Sequence, residues 1–316
     1  MIKIGAITID VSHPKAFSEL VAAGDRARYV AVYNDGFRGT DEVEAFAKKM
    51  DLKICDTLEE LAETVDIGFV HCCNWDKHLN YVKPFIERGK PIFIDKPIVG
   101  NIEDLEKLEK LCASGAKIIG TSALRYCEEV DLVREEMKRD GVVPMHTAVT
   151  VGSDEFNYAI HAVELICGFN EARPVSCRHL AKSEIDGKSC DIFFVTFENG
   201  ASAQYINVLG KFVTFYASVV TTNPGYNKDY GFKIDSSKFY QAMLDQVCDY
   251  VENKPNRIAT CQEMCDAIRI MLAGNASKKH GGIEVACDSP LLKDGAYDGN
   301  EFERGYAAKA RKMYLG

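Results

Sequence analysis

Over the first 120 residues, short apolar runs alternate with stretches whose apolar positions recur every three to four residues. Runs at 2–9, 29–33, 52–55, 67–72, 91–94 and 117–121 predict strands. Between them, Ala16, Phe17, Leu20 and Val21 form one helical stripe behind Ser12, closed by Gly24. Thr40 is expected to cap a stripe of Val43, Phe46, Ala47 and Met50; Thr57 with Glu60 has capping-box spacing ahead of Leu61; Asn101 caps a helix carrying Leu105, Leu108 and Leu111. Strands separated by helix-length intervals imply βαβ units, hence a doubly wound parallel sheet covered on both faces.

After about residue 122 the rhythm changes. Runs at 145–151, 175–181, 191–197, 201–207 and 211–220 follow one another, most without an intervening helix, and Glu198-Asn199-Gly200 is a hairpin signal. This predicts a second, α+β domain over 123–316, built on a largely antiparallel open sheet, beside a Rossmann-type domain over 1–122. Helices are expected at 154–167, 237–251, 262–275 and 301–313, and an irregular Asn-, Gly- and Tyr-rich loop at 221–235. The run 191–197, apolar on both alternating faces, predicts that the sheet meets a partner subunit.

Composition narrows the function classes. Among 316 residues, 38 Lys and Arg stand against 47 Asp and Glu, a net charge of −9. With basic residues clustering no further than pairs such as Lys278-Lys279, nucleic acid and anionic membranes are poor partners. No apolar run approaches the roughly 20 residues of a membrane helix, and the opening MIKIGAITID lacks a signal-peptide order, so a cytoplasmic protein is expected. The 12 cysteines lack zinc-site spacing: Cys72-Cys73 are adjacent, and Cys261 and Cys265 are four apart without a second pair. They read as buried small hydrophobes, and no metal is expected.

Doubly wound sheets bind ligands at the carboxyl ends of their strands. The first turn carries Thr8, Ile9, Asp10 and His13 where a dinucleotide fold would place G-x-G-x-x-G. Asp10 would face a pyrophosphate with a negative charge. The second strand ends Asn34-Asp35, and an acid there can take a ribose hydroxyl. The fifth ends Asp95-Lys96-Pro97, which fixes Lys96 at the crevice rim as a candidate acid or base. Asn157, His161 and Glu164 fall at i, i+4 and i+7, one polar face of an expected helix.

Together these positions resemble the Gfo/Idh/MocA family of glucose–fructose oxidoreductase and inositol dehydrogenase relatives. The most specific piece spans 87–126, where Asp95-Lys96-Pro97 takes the E-K-P place and Arg125-Tyr126 the pair that opens the substrate domain. CCNWDKH is similar to the family's T-P-N-x-x-H element at His78, and FNYAIHAVELICGF to its D-x-G-x-H element at His161. The resemblance implies hydride transfer between NAD or NADP and a small polyol, cyclitol or sugar, with Lys96 and His161 handling the hydroxyl proton beside Asn157. It implies cofactor contacts from Thr8, Ile9, Asp10, Asn34, Asp35, Cys73, Asn74, His78, Asp95 and Lys96. Substrate contacts are expected from Lys96, Arg125, Tyr126, Asn157 and His161, and a homodimer or homotetramer from the second sheet.

Three departures bear on this. The glycines are replaced, the carboxylate four residues before the histidine is Asn157, and the T-P-N proline is missing. Weak or absent dinucleotide binding is therefore an alternative expectation, with a binding protein or a non-redox enzyme using His13, Lys96 and His161 on the same architecture.

Overall fold

The structure, a computed structural model, describes residues 1–222, 230–310 and 312–313. The first sheet interleaves with helices: β1 (Ile2–Ile7), α1 (His13–Ala22), β2 (Ala27–Tyr33), α2 (Thr40–Met50), β3 (Lys53–Ile54), α3 (Leu58–Thr64), β4 (Ile67–Val70), α4 (Lys83–Glu87), β5 (Ile92–Ile94), α5 (Ile102–Ala113) and β6 (Ile118–Ile119). The strand order is β3-β2-β1-β4-β5-β6, with every pair parallel. β4 and β5 are buried at every position, as strands covered on both faces must be. The order reverses between β1 and β4, so the crevice opens at their carboxyl ends.

The chain continues through α6 (Glu128–Asp140), β7 (Pro144–Ser153), α7 (Ala159–Phe169), β8 (Pro174–Ile185), β9 (Lys188–Phe197), β10 (Ser202–Leu209), β11 (Tyr216–Thr221), β12 (Phe232–Lys233), α8 (Phe239–Val251), α9 (Cys261–Lys279), β13 (Val285–Ala286) and α10 (Gly299–Lys309). The second sheet runs β12-β11-β7-β10-β9-β8-β13, antiparallel except for the β7–β10 pair. Its inner positions, among them Phe193, Val195, Ala203 and Tyr205, are buried. Across the sheet, Ile192, Phe194, Ile206 and Val208 stay half-buried. The Asn199-Gly200 turn joins β9 to β10 as the hairpin signal required.

Several boundaries move for local reasons. β1 stops at Ile7 because Thr8 takes a left-handed φ of 59°. The helix expected from Asp154 begins only at Ala159, since Asp154 Oδ1 accepts from the Phe156 and Tyr158 amides and holds the chain in a turn. Asn157 therefore lies before α7, not on its face. Thr40 is the first residue of α2 and caps nothing; Gly39 holds the cap position. Thr57 accepts from the Glu60 amide, but the Glu60 carboxylate reaches Asp56 rather than Thr57. α6 escaped the pattern reading although Val130, Val133 and Met137 make its buried stripe and Gly141 its left-handed stop. Part of the expected pocket loop, 223–229, lies outside the described residues; beyond it, Phe232–Lys233 pair with β11. Among the described residues no helix is long and apolar enough to cross a membrane.

Candidate active site

β5 delivers Asp95 and Lys96 into the crevice, and α7 is brought up against them by the turn at Asp154. Lys96 Nζ donates to the Asn157 carbonyl at 2.8 Å and to its side-chain Oδ1 at 3.0 Å. It also stands 5.3 Å from the centre of the Tyr158 ring. Burial lowers the lysine's pKa, opposed by Asp95 and Asp154. One turn on, His161 Nδ1 lies 2.6 Å from Ser122 Oγ. Burial, then the charges of Lys96 and His13, push its pKa well down, so the imidazole is neutral at pH 7. The charge of Lys96, just past β5, thus reaches His161 on α7 across one crevice.

Asp95 is the node beneath. Its Oδ2 bonds His13 Nδ1 and lies 3.4 Å from His71 Nδ1, while Oδ1 accepts from the Lys96 amide at 2.9 Å. Burial works to raise this carboxyl, but the two imidazoles outweigh it and hold it well below its ordinary value. Each ring has a tyrosine on its other nitrogen: Tyr240 OH at 2.9 Å from His13 Nε2, and Tyr29 OH at 3.1 Å from His71 Nε2. His71 and Tyr240 were not among the sequence candidates. A histidine closing a strand run was readable; the Tyr240 contact, 227 residues from His13, was not.

The first turn is organised around Asp10. Its Oδ1 accepts from the Phe37 amide at 3.1 Å and Oδ2 from the Cys73 amide at 3.3 Å, bridging the ends of β1, β2 and β4. A Cβ at Gly36 would stand 2.1 Å from that carboxylate, so only glycine allows the approach. Burial pushes the Asp10 pKa up to about 6, against the lowering by its backbone hydrogen bonds. Arg38 donates to the Asp10 carbonyl and to Glu42. Asn34 accepts from the Ile9 amide at 3.2 Å, and Asp35 accepts from Tyr81 OH at 2.7 Å. His78 is buried between the Ile98 and Cys72 carbonyls. Thr8 Oγ1 is buried without a hydrogen-bond partner.

Over this turn lies α10. Asn74 donates to Asn300 at 3.0 Å and Glu303 at 2.9 Å, Lys77 to Glu303 at 2.9 Å, and Asp76 accepts from the Gly299 amide at 2.9 Å. Phe302 packs on Trp75 with centroids 4.8 Å apart, and Tyr306 on Phe37 at 6.1 Å. The cavity left between Ser12, His13, Lys96, Asn157, Phe302 and Tyr306 is about 80 Å³. Sites for drug-sized ligands span about 300–1,000 Å³. Asp10 stands between the turn and the second strand, and α10 packs over them, so a dinucleotide would enter this half only with α10 displaced.

Arg125 and Tyr126 do not line that cavity. Both are buried: Arg125 pairs with Glu164 and Glu263, and Tyr126 OH accepts from the Ala259 amide at 3.1 Å. Glu164, also bonded by Thr121 at 2.8 Å, is part of this strut and not of a solvated helix face.

Residues 4–122 match the family described as "Oxidoreductase family, NAD-binding Rossmann fold". Over 120 residues the chain is 32% identical to inositol 2-dehydrogenase from Gluconacetobacter diazotrophicus, a match covering 37% of this chain and 34% of that protein. The match thus spans about a third of the relative's length. A putative myo-inositol dehydrogenase from Sinorhizobium meliloti has a similar structure, with a TM-score of 0.73 at 16% identity over 91% of this chain and 100% of that one. Myo-inositol dehydrogenase from Lactobacillus casei, solved with NAD(H) and myo-inositol, gives 0.72 at 15% over 92% and 99%. At these identities the likeness is one of fold.

Proposed function

We propose, from the match of residues 4–122 to the oxidoreductase family with the NAD-binding Rossmann fold, that the chain is an NAD(P)-dependent oxidoreductase of a small polyol, cyclitol or sugar. The convergence of Lys96, Asn157 and His161 at the mouth of β5 carries this reading. Removing hydride from a carbinol requires loss of its O–H proton, so a base within hydrogen-bond reach is needed. His161, neutral and buried, takes that proton, while the Lys96 ammonium, oriented by Asn157, holds the substrate oxygen and steadies charge on it. Dinucleotide access requires α10 to leave the first turn. In the same reading the division between the two domains falls near residue 122. The half-buried apolar outer face of the second sheet pairs with a second copy, which sedimentation at micromolar concentration checks; a strict monomer contradicts it.

The test is turnover of a polyol and inositol panel with NAD and NADP, followed by absorbance of the reduced cofactor. Reduction that disappears in Lys96→Met supports the proposal, and none with any substrate opposes it. The filled first turn favours a second reading, a binding protein or non-redox enzyme in which His13, held by Asp95, acts beside Lys96. Binding of a polyol without any dinucleotide affinity would select it.

A further inference from the structure

Cys261 and Cys265, four apart in sequence, gain a third neighbour that no spacing reveals. Cys112, in the last turn of α5, makes a thiol–thiol contact with Cys261 from the far side of the interface between α5 and α9. The Cys261 and Cys265 sulfurs are 3.9 Å apart. Arg269 bonds Glu109 at 2.7 Å and fixes the same two helices against each other. All three thiols are free, and Cys112 and Cys261 are only half-buried.

The three are not equivalent. Cys261 is the first residue of a 19-residue helix whose amino end is closed by the Thr260–Glu263 capping box. The Cys112 thiol and then the Cys265 thiol, each donating to Cys261, lower its pKa against burial, and a helix amino end favours the anion as well. Cys112 is pushed the other way by its contact with Cys261, by burial and by Glu109. Residues four apart on a helix point their Cβ atoms the same way, which disfavours a Cys261–Cys265 bridge; Cys112 approaches from another element. Among the described residues the one group compact enough for a metal ion is Asp10, Cys73 and Glu303, not this trio.

We propose that Cys261 and Cys112 form a hydroperoxide-responsive thiol pair that closes into a disulfide between α5 and α9. The Cys261 thiolate attacks one oxygen of hydrogen peroxide: an S–O bond forms, the O–O bond breaks, and the other oxygen leaves as hydroxide, which becomes water on protonation. The Cys112 sulfur, losing its proton, then attacks the sulfenic sulfur; an S–S bond forms, the S–O bond breaks and a second water departs. Two thiols lose two electrons and the peroxide gains them. α5 follows the turn after β5 that holds Lys96, and α9 packs beside α7, which carries His161, so the bridge would tie together the two sides of the crevice.

The experiment uses the reduced full-length protein, treated with hydrogen peroxide and mapped by mass spectrometry of a non-reducing digest. A linked Cys112–Cys261 peptide that dithiothreitol releases is expected, with a melting temperature raised by roughly 5 °C or more. Cys112→Ser should leave Cys261 as a sulfenic acid that dimedone labels, with no rise in melting temperature. In the untreated protein at pH 7, iodoacetamide should alkylate Cys261 at least ~10-fold faster than Cys112. Free thiols at both positions after peroxide, or a bridge confined to Cys261–Cys265, overturns the proposal. The wild-type map decides the matter even if the variant fails to fold.

Discussion

One crevice has two unlike halves. At the mouth of β5, among the described residues, Lys96 Nζ bonds only to Asn157, beside the Tyr158 ring, and His161 is bonded at Nδ1 alone. At the mouths of β1 and β2, polar groups are consumed internally. Asp10 accepts two backbone amides, Arg38 is turned onto Asp10 and Glu42, and Asp35 takes Tyr81. In the proposed reading the first half acts on a ligand, whereas the second holds itself together. A fold can thus keep the cofactor-side architecture while its chemistry-bearing groups turn inward.

The contrast breaks most visibly if the β5 half is dispensable. Lys96→Met and His161→Ala should each lower turnover by about 10³-fold, leaving circular dichroism and melting cooperativity unchanged. Turnover within a few-fold of wild type would place the chemistry elsewhere.

Burial of Asp10 should be readable as stability. Its folded pKa, about 6, lies above the ordinary 3.8. Between these values the unfolded chain gives up the proton while the folded one keeps it, so stability falls as pH rises from about 4 to 6 and levels off above. The loss is on the order of 3 kcal/mol. Asp10→Asn should flatten that window in urea melts taken across it; an unchanged slope would show that Asp10 does not set it.

Asp10→Gly removes the charge from the turn and frees the backbone for a pyrophosphate. NAD(H) affinity should rise roughly tenfold in calorimetry, unless wild-type binding is already in the low-micromolar range. The smallest effect concerns Asn157→Asp. A carboxylate beside the Lys96 ammonium favours its charged form, so the limb of the pH–rate profile that reports lysine deprotonation should move up by about one unit. An unmoved profile would separate Lys96 from catalysis.

Legibility followed locality. Each of the six parallel strands coincides with a predicted apolar run; in β4, β5 and β6 burial on both faces writes itself as continuous hydrophobicity, while β3 is an exposed edge. Lys96 and His161 could be named from a strand end and a polar position on an apolar helix. What escaped was set by tertiary contact. The turn at Asp154 shortened a helix whose periodicity ran through it, Tyr240 reached His13 from a distant helix, and Cys112 completed a thiol cluster of which only one pair was visible. The seat of α10 depends on Glu303 meeting Asn74 and Lys77, more than 220 residues away.

If the chain's own α10 shuts the dinucleotide half of the crevice, its removal should admit the cofactor. Titrating NADH into the wild-type protein and into a variant ending at Asp298, with calorimetry and the fluorescence of the single tryptophan, Trp75, as readouts, tests it most directly. The account predicts weak or undetectable binding to the wild type and affinity at least ~10-fold higher in the truncated protein, with Trp75 emission shifted to the red as Phe302 leaves it. Equal affinity in the two proteins, with the truncated chain folded, would contradict it.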